Sequence, residues 1–171
     1  RLNLLHLDAH PDLYDDFDGS PYSHASPFAR IMENFPGIRL VQVGIRTLNA
    51  HQRIQVERFG VEVIEMRHWP PKKPLAFEGP LYISIDLDAF DPAFAPGVSH
   101  HEPGGLAPRE VLNLLQAIQA PIVGADVVEL NPSRDPMGIT AALAAKLIKE
   151  VAGMMVATTP DTVEQWETMQ C

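Results

Sequence analysis

Five short aliphatic runs punctuate the chain, at residues 2–7, 40–45, 61–66, 81–85 and 121–128. Each is rich in Val, Ile or Leu and too short for a typical helix, which is the pattern of strands buried on both faces. Between them lie segments with helical spacing, 27–34, 49–59, 108–119 and 138–156, and Pro108 suits the first turn of the third. A parallel crossover needs a dozen or more residues, and a helix fills that length. The alternation therefore predicts an α/β fold, a three-layer α/β/α arrangement with a mainly parallel sheet. The first run begins almost at residue 1, so the sheet is expected to be incomplete in this chain. Residues 69–80 hold four of the 16 prolines and two adjacent lysines, and read as an exposed connector. No internal repeat or domain boundary is visible, and residues 1–171 read as a single domain with a loosely held polar tail from Thr158 to Cys171.

Two of the apolar runs end in carboxylates. The first delivers His6-Leu7-Asp8-Ala9-His10-Pro11-Asp12, and the fourth delivers Ser84-Ile85-Asp86-Leu87-Asp88-Ala89-Phe90-Asp91-Pro92. In extended chain alternate side chains share a side, so Asp8, His10 and Asp12 converge if that conformation persists, and Asp86 and Asp88 share a face. Like charges packed so tightly repel unless a cation compensates them, which points to metal rather than bare carboxylates. A solvated acidic turn is the alternative for the first segment taken alone. In open α/β sheets ligands sit at the carboxyl ends of strands, so two such ends meeting would gather four Asp and one His in one crevice. A pair of divalent ions would absorb that charge, and an oxygen-rich set without sulfur favours Mn over Zn.

Composition narrows the partners. The chain is 46% hydrophobic and 20% charged, with a formal charge of −9 from 13 Lys and Arg against 22 Asp and Glu. The basic residues are scattered, which argues against nucleic acid or an acidic membrane and suits a small cationic substrate. Cys171 is the single cysteine, so no intrachain disulfide forms and a reducing compartment is expected. With no apolar run of membrane-spanning length and no leader pattern, the reading is cytoplasmic.

The motifs as a set resemble the ureohydrolase (arginase and agmatinase) family, in its agmatinase-like branch. The resemblance is carried by Asp8-Ala9-His10-Pro11-Asp12, Tyr22 to Phe28, Val43-Gly44-Ile45-Arg46, Ser84 to Gly97, Glu102 to Leu106 and Gly124 to Pro132, and so spans nearly the whole chain. It implies an arginase-like fold and two Mn²⁺ ions, with Asp8 and Asp86 bridging them, Asp12 on the first, and His10 and Asp88 on the second. A Gly-Gly-Asp-His-Ser motif, whose histidine completes the first ion's shell in the family, is expected before Asp8 and is not in this chain, so one of six ligands is missing. The two cations would lower the pKa of a shared water near a guanidinium carbon. Glu129 would hold the guanidinium in place, and His24, partly exposed, would pass a proton to the departing amine. The implied activity is hydrolysis of a guanidino compound to urea and an amine, with agmatine to putrescine favoured and arginine or guanidinobutyrate open. A homo-oligomer is also implied. A non-catalytic subunit with a partial metal site is the alternative, and a one-metal deacetylase fits the doubled Asp pairs less well.

Weaker candidates carry blander readings. His6 is expected to be a core histidine bonded to backbone, with service behind Asp8 as the other option. His100, His101 and Glu102 read as a polar loop of which one member could line the cavity mouth. Arg46 would anchor loops by ion pairing, Asp126 would support the sheet end, and Asp91 would be structural. Asp15, Asp16 and Asp18 form an acidic, solvated loop, and Gly97, Gly104 and Gly105 read as turns.

Overall fold

A computed structural model describes residues 1–158; the expectations for the tail and Cys171 lie outside the described residues. The strands are β1 (Asn3–Leu7), β2 (Arg39–Ile45), β3 (Glu62–Glu65), β4 (Leu81–Asp86) and β5 (Ile122–Val128). The helices are α1 (Pro27–Asn34), α2 (Ala50–Phe59), α3 (Pro108–Gln116) and α4 (Ile139–Thr158). All five strands form one parallel sheet in the order β3-β2-β1-β4-β5. The predicted α/β layering is therefore the observed one, because each βα unit needs a helix to return the chain to the same end of the sheet.

The two halves wind in opposite directions from β1. From β1 the chain steps outward to β2 and β3 on one side, then returns through residues 69–80 to β4 on the other side. Leu5 and Leu7 face a core shared with Val111, Leu115 and Leu147 of α3 and α4, whereas Leu4 packs with Phe28 and Met32 of α1 on the opposite face. Right-handed crossovers running in opposite directions from one strand must place their helices on opposite faces, which gives the three layers. The order also leaves a switch point between β1 and β4, where the carboxyl ends of adjacent strands open a crevice. Ile83, Ile85, Leu5 and Leu7 are fully buried on the α3 and α4 face. Each stabilises the fold by about 1.5–3 kcal/mol relative to exposure.

Local chemistry sets the element ends. Asn49 accepts from the backbone N–H of Gln52, whose side chain returns to the Asn49 N–H, and Gly60 closes α2 in the left-handed conformation. Glu110 accepts from the Ala107 N–H and from the Trp69 indole, which ties the 69–80 connector to α3. That connector is irregular, as expected, but it is not wholly exposed: Trp69, Leu75 and Phe77 are half-buried against the main core. Asp135 accepts from the N–H groups of Thr140 and Ala141 and so caps α4.

Candidate metal centre

The parallel register pairs Leu7 of β1 with Ile85 of β4, so the next residues along, Asp8 and Asp86, emerge side by side at the switch point. Both acidic motifs then turn in the same way. Asp8 Oδ1 accepts from the His10 N–H at 2.6 Å, and Asp86 Oδ1 accepts from the Asp88 N–H at 2.7 Å. Convergence thus comes from two Asx turns rather than from continued strand alternation. After the first turn, Asp12 takes a left-handed φ of 49°. After the second, residues Leu87–Ala89 form a single 3₁₀ turn. The tips are stitched together by the Ala9 N–H, which donates to Asp88 Oδ1 at 3.1 Å.

The resulting cluster is acid-rich and largely buried. Asp8, Asp86 and Asp88 are 1%, 6% and 3% exposed. His10 Nδ1 lies 3.3 Å from Asp8 Oδ1 and 3.0 Å from Asp88 Oδ2. Ligand atoms of Asp8, His10 and Asp88 all fall within 4.8 Å of one another, as do those of His6, Asp8 and Asp12. Asp86 faces the same cavity from the tip of β4. Glu129, just past β5, has a left-handed φ of 66° and turns into the cavity beside it. A left-handed glutamate is a costly backbone state, and its occurrence at a cluster of acids suggests a functional constraint.

Protonation follows from the crowding. Burial, then repulsion from Asp8, pushes the Asp12 carboxyl up to about 9 and that of Asp86 up to about 10. Burial raises Asp88 as well. Burial alone would lower His10, but its hydrogen bonds to Asp8 and Asp88 push it up to about 11. For Asp8, burial opposes ionisation, yet attraction to His6 and the hydrogen bonds from His10 and His6 hold it below the ordinary carboxylate range. Four crowded acids, three of them buried, cannot all carry charge with one imidazolium among them, and protons take up the excess. Among the described residues no Lys or Arg forms an ion pair with Asp8, Asp12, Asp86 or Asp88. A mixed carboxylate and imidazole set of this charge fits divalent cations.

The cluster lies where two clefts meet. One runs along the sheet face beneath α1 and the other opens past His10 and His100, and both are lined by Asp8, Asp12, His24, Asp86 and Glu129. His24 is exposed, as expected, and its ring stacks on His100 at 6.0 Å between centroids. The structure therefore brings together all seven residues singled out from the sequence.

Several neighbours differ from the sequence reading. His6 bonds to side chains rather than backbone, with Nε2 at 2.9 Å from Asp8 Oδ2 and Nδ1 at 3.1 Å from Gln42 Nε2. Arg46 does anchor loops, but through carbonyl oxygens: its guanidinium donates to Gly44, Asp88 and Glu102. Glu102 itself reaches His10 Nε2 at 3.6 Å, and His100 lines the cavity, so two members of the polar loop belong to the site. Asp126 accepts from the hydroxyls of Tyr82 and Ser84, and Asp91 accepts from the N–H groups of Ala93 and Gly104, both supporting roles. Gln42 and Thr47 were not singled out at all; a glutamine inside an otherwise aliphatic strand was the available signal for the first.

The arginase family model matches residues 1–153. The chain belongs to the arginase family. It is 57% identical over 159 residues to "Arginase 1, mitochondrial" of Arabidopsis thaliana, an alignment covering 88% of this chain and 46% of the relative. The solved structure "Arginase from Medicago truncatula" superposes with a TM-score of 0.83 at 55% identity, covering 90% of this chain and 51% of that one. "N(1)-aminopropylagmatine ureohydrolase" of Thermus thermophilus is 44% identical over 142 residues, 78% of this chain and 47% of the relative. This arginase-family chain spans about half the length of the relatives it matches. No helix among the described residues is long and apolar enough to cross a membrane.

Proposed function

We propose that the chain carries the metal-binding core of an amidinohydrolase, which converts a guanidino compound to urea and an amine. The observation that supports this most is the meeting of two acid-bearing strand tips at the switch point, with His10 held between Asp8 and Asp88. In this reading Asp8 and Asp86 would help hold both of two Mn²⁺ ions, Asp12 the first, and His10 and Asp88 the second. Such a pair supplies Lewis-acid activation of water at neutral pH. Glu129, turned into the cavity by its left-handed backbone, pairs with the planar guanidinium and aims its carbon at the cluster. His24 is exposed, lines both clefts and makes no bond to the acids; it delivers a proton to the leaving nitrogen.

The substrate's identity rests on its far end. The names of the plant relatives favour arginine, and the mitochondrial location in those names favours an organelle over the cytoplasm expected from the sequence. Agmatine keeps a specific observation in its favour: the cleft past His10 is lined by carboxylates, histidines and neutral groups, with no Lys or Arg among its described lining residues to meet an α-carboxylate. The experiment is a titration of the full 171-residue chain with Mn²⁺, followed by urea release from arginine and from agmatine. Stoichiometric Mn²⁺ binding with urea formed supports the reading. A chain that binds no Mn²⁺ refutes it, whereas binding without urea reduces it to the non-catalytic alternative.

A further inference from the structure

Gln42 occupies the middle of β2, fully buried between Val41 and Val43 and directly opposite His6 in the register. Its amide nitrogen donates to the Pro11 carbonyl at 2.6 Å and faces His6 Nδ1 at 3.1 Å. Its oxygen has no partner. A buried carbonyl oxygen left unpaired is unfavourable, so the amide would turn over if it could. It cannot, because turning would set an oxygen 2.6 Å from the Pro11 oxygen, and neither atom has a proton to share.

The fixed amide dictates the state of the imidazole. Facing an N–H donor, His6 Nδ1 must present its lone pair, so the ring proton sits on Nε2 and is donated to Asp8 Oδ2 at 2.9 Å. Phe28 lies against the ring, with centroids 3.9 Å apart, and limits its rotation. Asp8 is then held at both oxygens, by His6 on one and by the His10 N–H on the other.

We propose that Gln42 is a positioning residue that fixes the tautomer of His6 and, through it, the orientation of Asp8. The relay reaches both candidate ligand groups, because Asp8 is common to them. It also removes His6 from the ligand set: the ring nitrogen nearest the acids carries the proton. The metal consequence rests on the function proposed above, while the tautomer does not.

The test uses ¹⁵N-histidine spectra of the metal-free full chain at pH 8, with the His6 signals assigned by their loss in His6→Phe, together with Mn²⁺ affinity from the free-ion electron paramagnetic resonance signal. The wild type should show His6 protonated on Nε2 alone. Gln42→Met keeps the volume and removes the donor; its circular dichroism should be unchanged, its His6 tautomer should mix, and its Mn²⁺ affinity should fall about 10- to 100-fold, the usual effect of losing a group that orients a ligand. His6 protonated on Nδ1 or on both nitrogens in the wild type overturns the proposal. So does a folded Gln42→Met that binds Mn²⁺ as tightly as the wild type. Should Gln42→Met fail to fold, or the wild type bind no Mn²⁺, the wild-type tautomer decides; the second case also refutes the metal reading separately.

Discussion

At the scale of single residues, the site is a set of groups in an unfavourable state. Asp86 is 6% exposed and its carboxyl is pushed up to about 10 by burial and by Asp8 and Asp88, so near neutrality it holds a proton it would shed in water. Asp86→Asn keeps the oxygen that accepts from the Asp88 N–H and removes the ionisable group. The metal-free variant should melt at a higher temperature than the wild type at pH 8, while Mn²⁺ binding is lost, the usual exchange of stability for function at a strained site. Calorimetry with chelator and an Mn²⁺ titration check both halves; a variant that keeps full Mn²⁺ affinity contradicts the role assigned to Asp86. His24→Ala should do the opposite, leaving Mn²⁺ content intact and slowing any urea release by about 10² to 10⁴. The acid cluster was legible in the sequence because acids crowded at the ends of aliphatic runs repel one another unless a cation sits among them. The route by which they converge was not, since an Asx turn and a strand place residues i and i+2 differently yet look alike in letters. His100 and Glu102 were read only as members of a polar loop with one residue at the cavity mouth, because their contacts with His24 and His10 cross more than seventy positions of chain and depend on a loop without periodicity.

The elements themselves were easier to read, and their ends were not. All five strands and four helices lie within a few residues of the aliphatic runs and helical segments, because each carries its own burial pattern. The third helix stops at Gln116 rather than 119, although Ile118 continues the apolar spacing and is buried. Burial there is satisfied by a turn, and periodicity reports burial rather than hydrogen bonding. The tip of β2 shows what an element contributes to the site. Gly44 has a φ of +98° at a register shift between Val43 and Ile45, and an added Cβ would lie 2.9 Å from the Asp8 carbonyl oxygen. Only a glycine lets the strand close on the acidic turn and then deliver Arg46 to the carbonyls beside it. Gly105 plays the matching part in the opposite loop, where a Cβ would meet the Phe90 backbone at 2.6 Å and the Arg46 guanidinium at 2.7 Å. Gly44→Ala should cost about 1–3 kcal/mol from the backbone conformation alone. Urea unfolding should show a lower midpoint with an unchanged slope; an unaltered midpoint would mean that the bulge relaxes without cost.

For the whole molecule, strand order was beyond the reach of local pattern: nothing in residues 81–85 says that they lie beside β1 rather than β3. That order nevertheless creates the site, and it places one charge cluster at the hinge between the two halves of the sheet, where folding and protonation are linked. Asp12, Asp86 and His10 all have folded values raised, to about 9, 10 and 11. A group raised in the folded state contributes stability that is fully present below its unfolded value and disappears as pH climbs to its folded value. For the two aspartates the loss begins near pH 4 and for His10 near pH 6.5, so between about pH 6.5 and 9 all three act in the same direction. Asp8 is lowered, and its contribution is lost only in acid, outside this window. The metal-free chain should therefore become less stable from pH 7 to pH 8.5, contrary to a protein whose acids are paired with bases. Divalent cations compete with these protons, so Mn²⁺ should release protons on binding and raise the melting temperature more at pH 8.5 than at pH 7. Melting curves at the two pH values, with chelator and with Mn²⁺, measure all of this at once. A metal-free melting temperature that rises with pH, or an Mn²⁺ shift that is the same at both, would show that the acids at the switch point do not share their charge in the way their geometry requires.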